Sequence, residues 1–405
     1  MKAMSRPLPR LRADLDLMPS PVPDRPGLLM RDPFHYSDAV LIVPPGLAEC
    51  LRFFDGECTE GDLREALVRL SGDIRVGNMI AGLCNTLSEA GFVHDGVYEH
   101  MKAQRHASFA AADRRTAALA GSAYPGGAEE AAALIGGYLN GSRAPRSGLL
   151  GIAAPHVSLD GGAECYAAAY GALGPELRDR TFVIIGTSHY GEPERFGLTR
   201  KPFATPLGIT RTDACLAGEL ERLGGPAVKM EDYCHSVEHS IEFQVLFLQH
   251  LYGPDVRIVP VLCGPFIHSM FDGGMPEDNS AVAQFFGALR GVAEREASRL
   301  FWVLGIDMAH IGRRYGDAHP AIAGQGVMAG VAAEDERRIA LVAHGDADGF
   351  WAAVRENQDP VRWCGAAPLY TFLKAVPNAR GELLGYRQWN IDEHSAVSFA
   401  AIAFA

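Results

Sequence analysis

A few side chains in this sequence have types and spacing that suit chemistry. The apolar run Phe301-Trp302-Val303-Leu304-Gly305-Ile306 stops at Asp307, and His310 follows three residues later. Leu149 to Ala154 stops at Pro155-His156, and Phe182 to Ile185 stops at Gly186-Thr187-Ser188-His189. Short unbroken apolar runs suit strands buried on both faces, and in parallel sheets ligands gather at the carboxyl ends of the strands. His156, His189 and Asp307 are therefore expected to converge in one crevice. All three side chains are metal-competent. If a helix starts just after Asp307, that residue and His310 lie one turn apart on a shared face. Cys364, in Trp363-Cys364-Gly365-Ala366-Ala367-Pro368, precedes a helical stretch whose N-terminus would favour thiolate. A further cluster, Val237-Glu238-His239-Ser240-Ile241-Glu242, puts Glu238 and Glu242 on one helix face with His239 beside them, placed to support a metal site from behind its ligands. Each of these residues also has a structural reading. Asp307 can simply cap a helix, a histidine after a strand can be a hydrogen-bonded packing residue, Cys364 can be a buried inert thiol, and the Glu238 cluster can be a solvated helix start.

The elements that must position these groups follow from the same pattern. From Leu149 onward, strand-like runs alternate with longer helical stretches, with a further run at Arg257 to Leu262 and a last one at Ala396 to Phe404 expected to close one side of the sheet. The expected fold is α/β, a layered arrangement with a largely parallel central sheet and helices on both faces. Phe266 to Ser280, with Gly273-Gly274 and Pro276, reads as a surface loop. The serine-hydrolase elbow is excluded at Ser188 because Tyr190 stands where glycine is required, and Gly324-Gln325-Gly326 lacks the spacing of a dinucleotide loop.

Composition narrows the function classes. Across 405 residues, 37 Lys and Arg against 49 Asp and Glu give a net charge of −12, so no nucleic-acid footprint is expected. No run is long and apolar enough for a membrane span, and the basic start Met1 to Arg12 is not followed by the apolar core of a secretory signal. The 8 cysteines are scattered without a Cys-x-x-Cys pair, which points to reduced thiols and a cytoplasmic location.

The N-terminal part, residues 1–97, reads as a small α+β unit. Phe53-Phe54-Asp55-Gly56 is a turn, Thr59 caps a helix starting at Glu60 with Asp62 as capping partner, a second helix runs from about Val76 to Glu89, and Ala90-Gly91-Phe92-Val93 turns into a short strand. This pattern resembles the PqqD-like winged-helix family. The resemblance implies a possible peptide partner bound by strand addition. Residues 98–119 read as an alanine-rich linker helix, and 120–405 as the α/β domain.

The α/β part resembles the Memo family, of the AmmeMemoRadiSam system protein B type, whose fold is similar to that of class III extradiol dioxygenases. The resemblance rests on an ordered set of motifs. These are Ala120-Gly121 with Tyr124-Pro125, Pro155-His156, Gly186-Thr187-Ser188-His189, Thr205-Pro206-Leu207-Gly208, Glu238-His239-Ser240-Ile241-Glu242, Asp307-Met308-Ala309-His310, Cys364-Gly365 and Val397-Ser398-Phe399. It implies His156, His189 and Cys364 as metal ligands, with Asp307 and His310 in the same pocket. The implied metal is divalent, Fe(II) first, with copper or zinc as alternatives. It further implies a metal-dependent, dioxygenase-like oxidoreductase acting on a small molecule or peptide, with His310 as general acid or base and Asp307 orienting it or approaching the metal. A non-catalytic peptide-binding module and a zinc hydrolase are the alternatives. One departure is plain: the family's tyrosines after the first histidine are absent from Val157-Ser158-Leu159-Asp160-Gly161-Gly162.

Overall fold

The computed structural model describes residues 6–141 and 144–405. The chain divides into two compact units between Ala111 and Ala112. In the first unit β1 (Asp16–Pro19), β2 (Leu28–Arg31) and β3 (Val40–Val43) form an antiparallel sheet in that order. Helix α1 (Glu60–Ser71) starts at Thr59 in a reciprocal capping box with Asp62 and ends at Gly72, whose left-handed backbone is one that glycine adopts without strain. Helices α2 (Gly77–Glu89) and α3 (Gly96–Ala111) complete the unit around Met30, Leu63, Leu67, Leu87 and Phe92, all buried. The strand expected at 90–93 is reduced to one bridge between Val93 and Leu11. The linker helix expected over 98–119 is also shorter. It is α3, which ends at Ala111 inside the first unit, and Arg115-Thr116 already pairs with Phe203-Ala204 of the second.

The second unit is built on a mixed sheet flanked by helices. In chain order its main elements are β4 (Gly151–Ala154), α4 (Leu159–Tyr170), β5 (Thr181–Thr187), β6 (Phe196–Leu198), β7 (Val228–Met230), α5 (Cys234–Val237), α6 (Glu242–Tyr252) and β8 (Arg257–Cys263). They continue with α7 (Ile267–Asp272), β9 (Leu300–Gly305), β10 (His310–Gly312), α8 (Val327–Ala343), α9 (Ala366–Ala375), β11 (Gly381–Asp392) and β12 (Ser395–Phe404). The sheet runs β7-β6-β8-β5-β9-β4-β12-β10, with β11 also paired to β12. The centre, β8-β5-β9-β4, is parallel, and β6 and β12 flank it antiparallel. These central strands are buried almost throughout, as their unbroken apolar runs require.

Three sequence-based expectations change here. No helix follows Asp307: the chain stays extended and His310 opens β10, so the two residues are not one helical turn apart. The amide N–H groups of Met308 and Ala309 go to the carbonyl and hydroxyl of Ser398, which ties this segment to β12 in an extended conformation. The last run, β12, does not close the sheet. It is buried along its whole length, with β11 along one side and β4 and β10 on the other. The stretch from Phe266, expected as a loop, contains helix α7.

Candidate metal centre

The strand ends are level with one another. Gly305 of β9 stands opposite Gly186 of β5 on one side and Ala154 of β4 on the other. Asp307 and His156 each follow two residues after that level, and His189 follows three after Gly186. The chain therefore delivers the three groups to one end of the sheet. A fourth group arrives from elsewhere. Any side chain at Gly186 or Gly305 would run into Ser240, at its hydroxyl and its carbonyl oxygen respectively. Glycine at these two places lets the segment after α5 lie against the strand ends, and that segment carries Glu238 and His239.

The imidazoles of His156, His189 and His239 offer ligand atoms that all lie within 4.8 Å of one another. The rings of His189 and His239 stack with centroids 5.0 Å apart, and His156 stands edge-on to both at 4.9 and 5.2 Å. His156 Nδ1–H donates to the carbonyl of Gly305 at 2.9 Å. The Nδ1 atoms of His189 and His239 both lie 3.1 Å from the carboxylate of Glu238. Acceptors at Nδ1 orient each ring as ligating histidines are normally oriented; at His189 burial alone would lower the imidazole, but the pull of Glu238 outweighs it and raises the ring well above its usual value, so a bound metal would displace a proton there. Carbonyl and carboxylate acceptors on three Nδ1 atoms, in a cluster whose ligand atoms lie this close together, are a donor set that fits a divalent metal ion.

Glu238 holds this arrangement together. It is 1% exposed, yet its carboxylate also accepts backbone N–H groups from His189 (2.8 Å), His239 (2.7 Å) and Ser240 (3.0 Å). Burial alone would push the carboxyl up. The two imidazoles outweigh it and hold Glu238 well below the usual carboxylate range, so it stays charged. The same bonds explain a correction. Glu238 and Glu242 do not share a helix face, because Glu238 ends α5 in an extended conformation and Glu242 begins α6. A carboxylate that takes the N–H groups of the next two residues competes with helix formation at that point. The break turns His239 inward to the ligand cluster, where the sequence had suggested a supporting position.

Glu242 faces the other way. It pairs with the fully buried Arg115 and accepts from Tyr124 Oη and the backbone N–H groups of Ala118 and Leu119. Arg115 also donates to the carbonyls of His235 and Glu238, so Glu242 acts on the site only through that guanidinium.

The Cys364 sulfur lies 3.4 Å from His156 Nε2 and also hydrogen-bonds His189. Gly365 permits this, since a side chain there would meet Ile306 and the carbonyl of Asp307. The expected helix N-terminus effect on the thiol is overridden. Burial pushes Cys364 up, with the bond to His189 opposing it. Asp307 accepts the backbone N–H of His156 at 3.0 Å, its other oxygen lies 3.6 Å from His156 Nε2, and burial raises its carboxyl. Its orientation is set toward His156 rather than His310. His310 is oriented by carbonyls: Nδ1–H faces Met308 O at 2.9 Å and Arg362 O at 3.3 Å, leaving Nε2 as the basic nitrogen. Burial lowers its pKa, so the ring is neutral near pH 7.

His189, His310 and Cys364 also line a cleft of about 490 Å³ that opens beside the cluster. Fold and site together define an α/β protein with an imidazole cluster, a thiol and a buried carboxylate at the carboxyl end of a parallel sheet. The Memo-like protein family matches residues 115–403, and the chain belongs to that family. A MEMO1 family protein of Aquifex aeolicus is 24% identical over 380 residues, 93% of this chain and 95% of its own length. One from Methanosarcina barkeri is 25% identical over 294 residues, 71% of this chain and 98% of its own. Among solved structures, uncharacterized protein JW3007 from Escherichia coli K12 aligns with 56% of this chain and 89% of its own at 13% identity and a TM-score of 0.34, which adds nothing to the assignment.

Proposed function

We propose that the second unit is a metal-dependent oxidoreductase, with Fe(II) or copper held by His156, His189 and His239 and with Cys364 or Asp307 as a further donor. The observation that carries this reading is the convergence of three oriented imidazoles beside a cleft that His189 and His310 line. Bound there, the metal would supply Lewis acidity and redox capacity. The protein's own contributions follow from the geometry. Glu238 and the Gly305 carbonyl hold the rings in place. Apolar side chains, Phe266, Met270 and Trp351 among them, line the cleft beside the cluster. His310, neutral and with Nε2 free, accepts or returns a proton at the substrate. The 8 cysteines, all unpaired, suit a reducing cytoplasmic compartment.

Protein purified without oxygen is expected to carry about one metal per chain, lost in the His156→Ala/His189→Ala double variant. Iron or copper with metal-dependent oxygen consumption supports an oxidoreductase. Zinc with no oxygen consumption defeats it in favour of a hydrolase. Retention of metal by the double variant defeats the site.

A second reading, of a peptide-binding role for the first unit, is favoured by one observation. Among the described residues no strand pairs with the outer edge of β3, which borders an apolar groove of about 300 Å³ lined by Ile42, Leu47, Met79 and Leu83. An extended peptide added to that edge would bury its side chains there. Met79→Glu in the full chain is expected to abolish such binding and leave the metal content unchanged.

A further inference from the structure

We propose that the cleft beside the imidazoles takes a neutral substrate with a flat apolar body and one polar end, the polar end at the metal and the body between α7 and the two tryptophans. This rests on the proposed metal centre and adds the substrate class. At about 490 Å³ the cleft has the capacity of a small-molecule site. Phe266, Met270, Trp351 and Trp363 line it, with Ile267 and Phe271 at its mouth. Ile267 and Phe271 are one turn apart on α7, 39% and 57% exposed, and present a free apolar face toward the cleft. Exposed apolar pairs rimming a cavity are a mark of a binding site.

The charges in the wall are already satisfied. Arg362 is paired with Asp317 at 2.7 Å, and Asp359 with the buried Arg338 at 2.7 Å. Neither is left to meet a charged group on the body of a ligand, and a carboxylate pressed against Phe266 or Phe271 would lose its water without gaining a partner. The metal-competent groups mark the polar end. His189, His310 and Cys364 line the cleft there, and so does Ser188, whose buried hydroxyl has no hydrogen-bond partner.

The test compares two probes that share a hydroxyl and a naphthalene ring, 2-naphthol and 6-hydroxy-2-naphthoate. The second carries a carboxylate at the far end. Each is titrated calorimetrically into the metal-loaded full chain, with metal content measured on the same samples. The carboxylate is expected to bind at least about tenfold more weakly, the cost of stripping water from an unpaired charge. Phe271→Asp, at an exposed position that the fold tolerates, is expected to weaken 2-naphthol by about tenfold or more, since it puts a charge against the apolar body. Equal or tighter binding of the carboxylate, no binding of 2-naphthol, or unchanged binding by Phe271→Asp overturns the substrate class. Binding of 2-naphthol with this pattern by protein that takes up no metal supports the substrate class and defeats the metal centre, so the two failures are distinguishable.

Discussion

Glu238 and Glu242 are the same residue type four positions apart, and the structure gives them different tasks. Glu238 fixes the Nδ1 atoms of two imidazoles, and Glu242 neutralises Arg115 at a distance from the cluster. Glu238→Gln is expected to lower metal affinity by about 10- to 100-fold, the usual cost of losing a group that orients a ligand. A metal titration reads this, and unchanged affinity would remove Glu238 from its assigned role. Glu242→Gln is expected to act on stability, by about 3–5 kcal/mol at neutral pH, because it leaves the Arg115 charge buried and unpaired. The pH dependence has a definite sign. Burial pushes the Glu242 carboxyl up, but Arg115 and Tyr124 outweigh it and hold it below the usual range. Its stabilising effect is therefore full above the unfolded carboxyl pKa of about 4.3 and lost as pH falls through the lower folded value. Denaturant melts of wild type and Glu242→Gln should converge in that acid window. A gap that stays constant down to pH 2 would count against the account. His156, His189 and Asp307 were legible in the sequence, because an apolar run that stops at a polar side chain marks a strand end. His239 was not: its place in the cluster depends on a helix break made by the hydrogen bonds of Glu238, and a regular helix drawn through 238–242 turns it elsewhere.

The central parallel strands are level, and Gly186 and Gly305 near the ends of two of them admit the segment carrying His239. Gly305→Ala would drive a methyl group into the carbonyl of Ser240 and the side chain of Gln244. Overpacking of that kind costs about 1–3 kcal/mol and is expected here to push His239 off the centre. Metal affinity should fall while circular dichroism stays that of a folded protein, and full affinity in Gly305→Ala would show that the close approach is not required. The central strands were legible from their apolar runs, but β11 was missed. It runs Gly381–Asp392 with half-exposed, mixed side chains, so neither alternation nor a continuous apolar run marks it. Its one local signal is Asp392-Glu393-His394, where Asp392 turns the chain by accepting the N–H of His394 and leads into β12. Helix α7 was read as a loop because glycines and a proline follow it directly, although Ile267, Met270 and Phe271 already had helical spacing.

The Memo-like match spans residues 115–403, nearly the whole of the second compact unit, and the described residues include no helix long and apolar enough to cross a membrane. The first unit has its own core around Met30, Leu63 and Phe92, and none of the proposed ligands lies in it. The account therefore stands or falls on the second unit's sheet end. X-ray absorption of the metal-loaded full chain addresses it directly by reporting which atoms surround the metal. We expect the scattering of three imidazoles, with His156→Ala/His189→Ala abolishing metal uptake and with it the spectrum. An all-oxygen shell, or an imidazole pattern unchanged in that double variant, would contradict a metal centre at these strand ends.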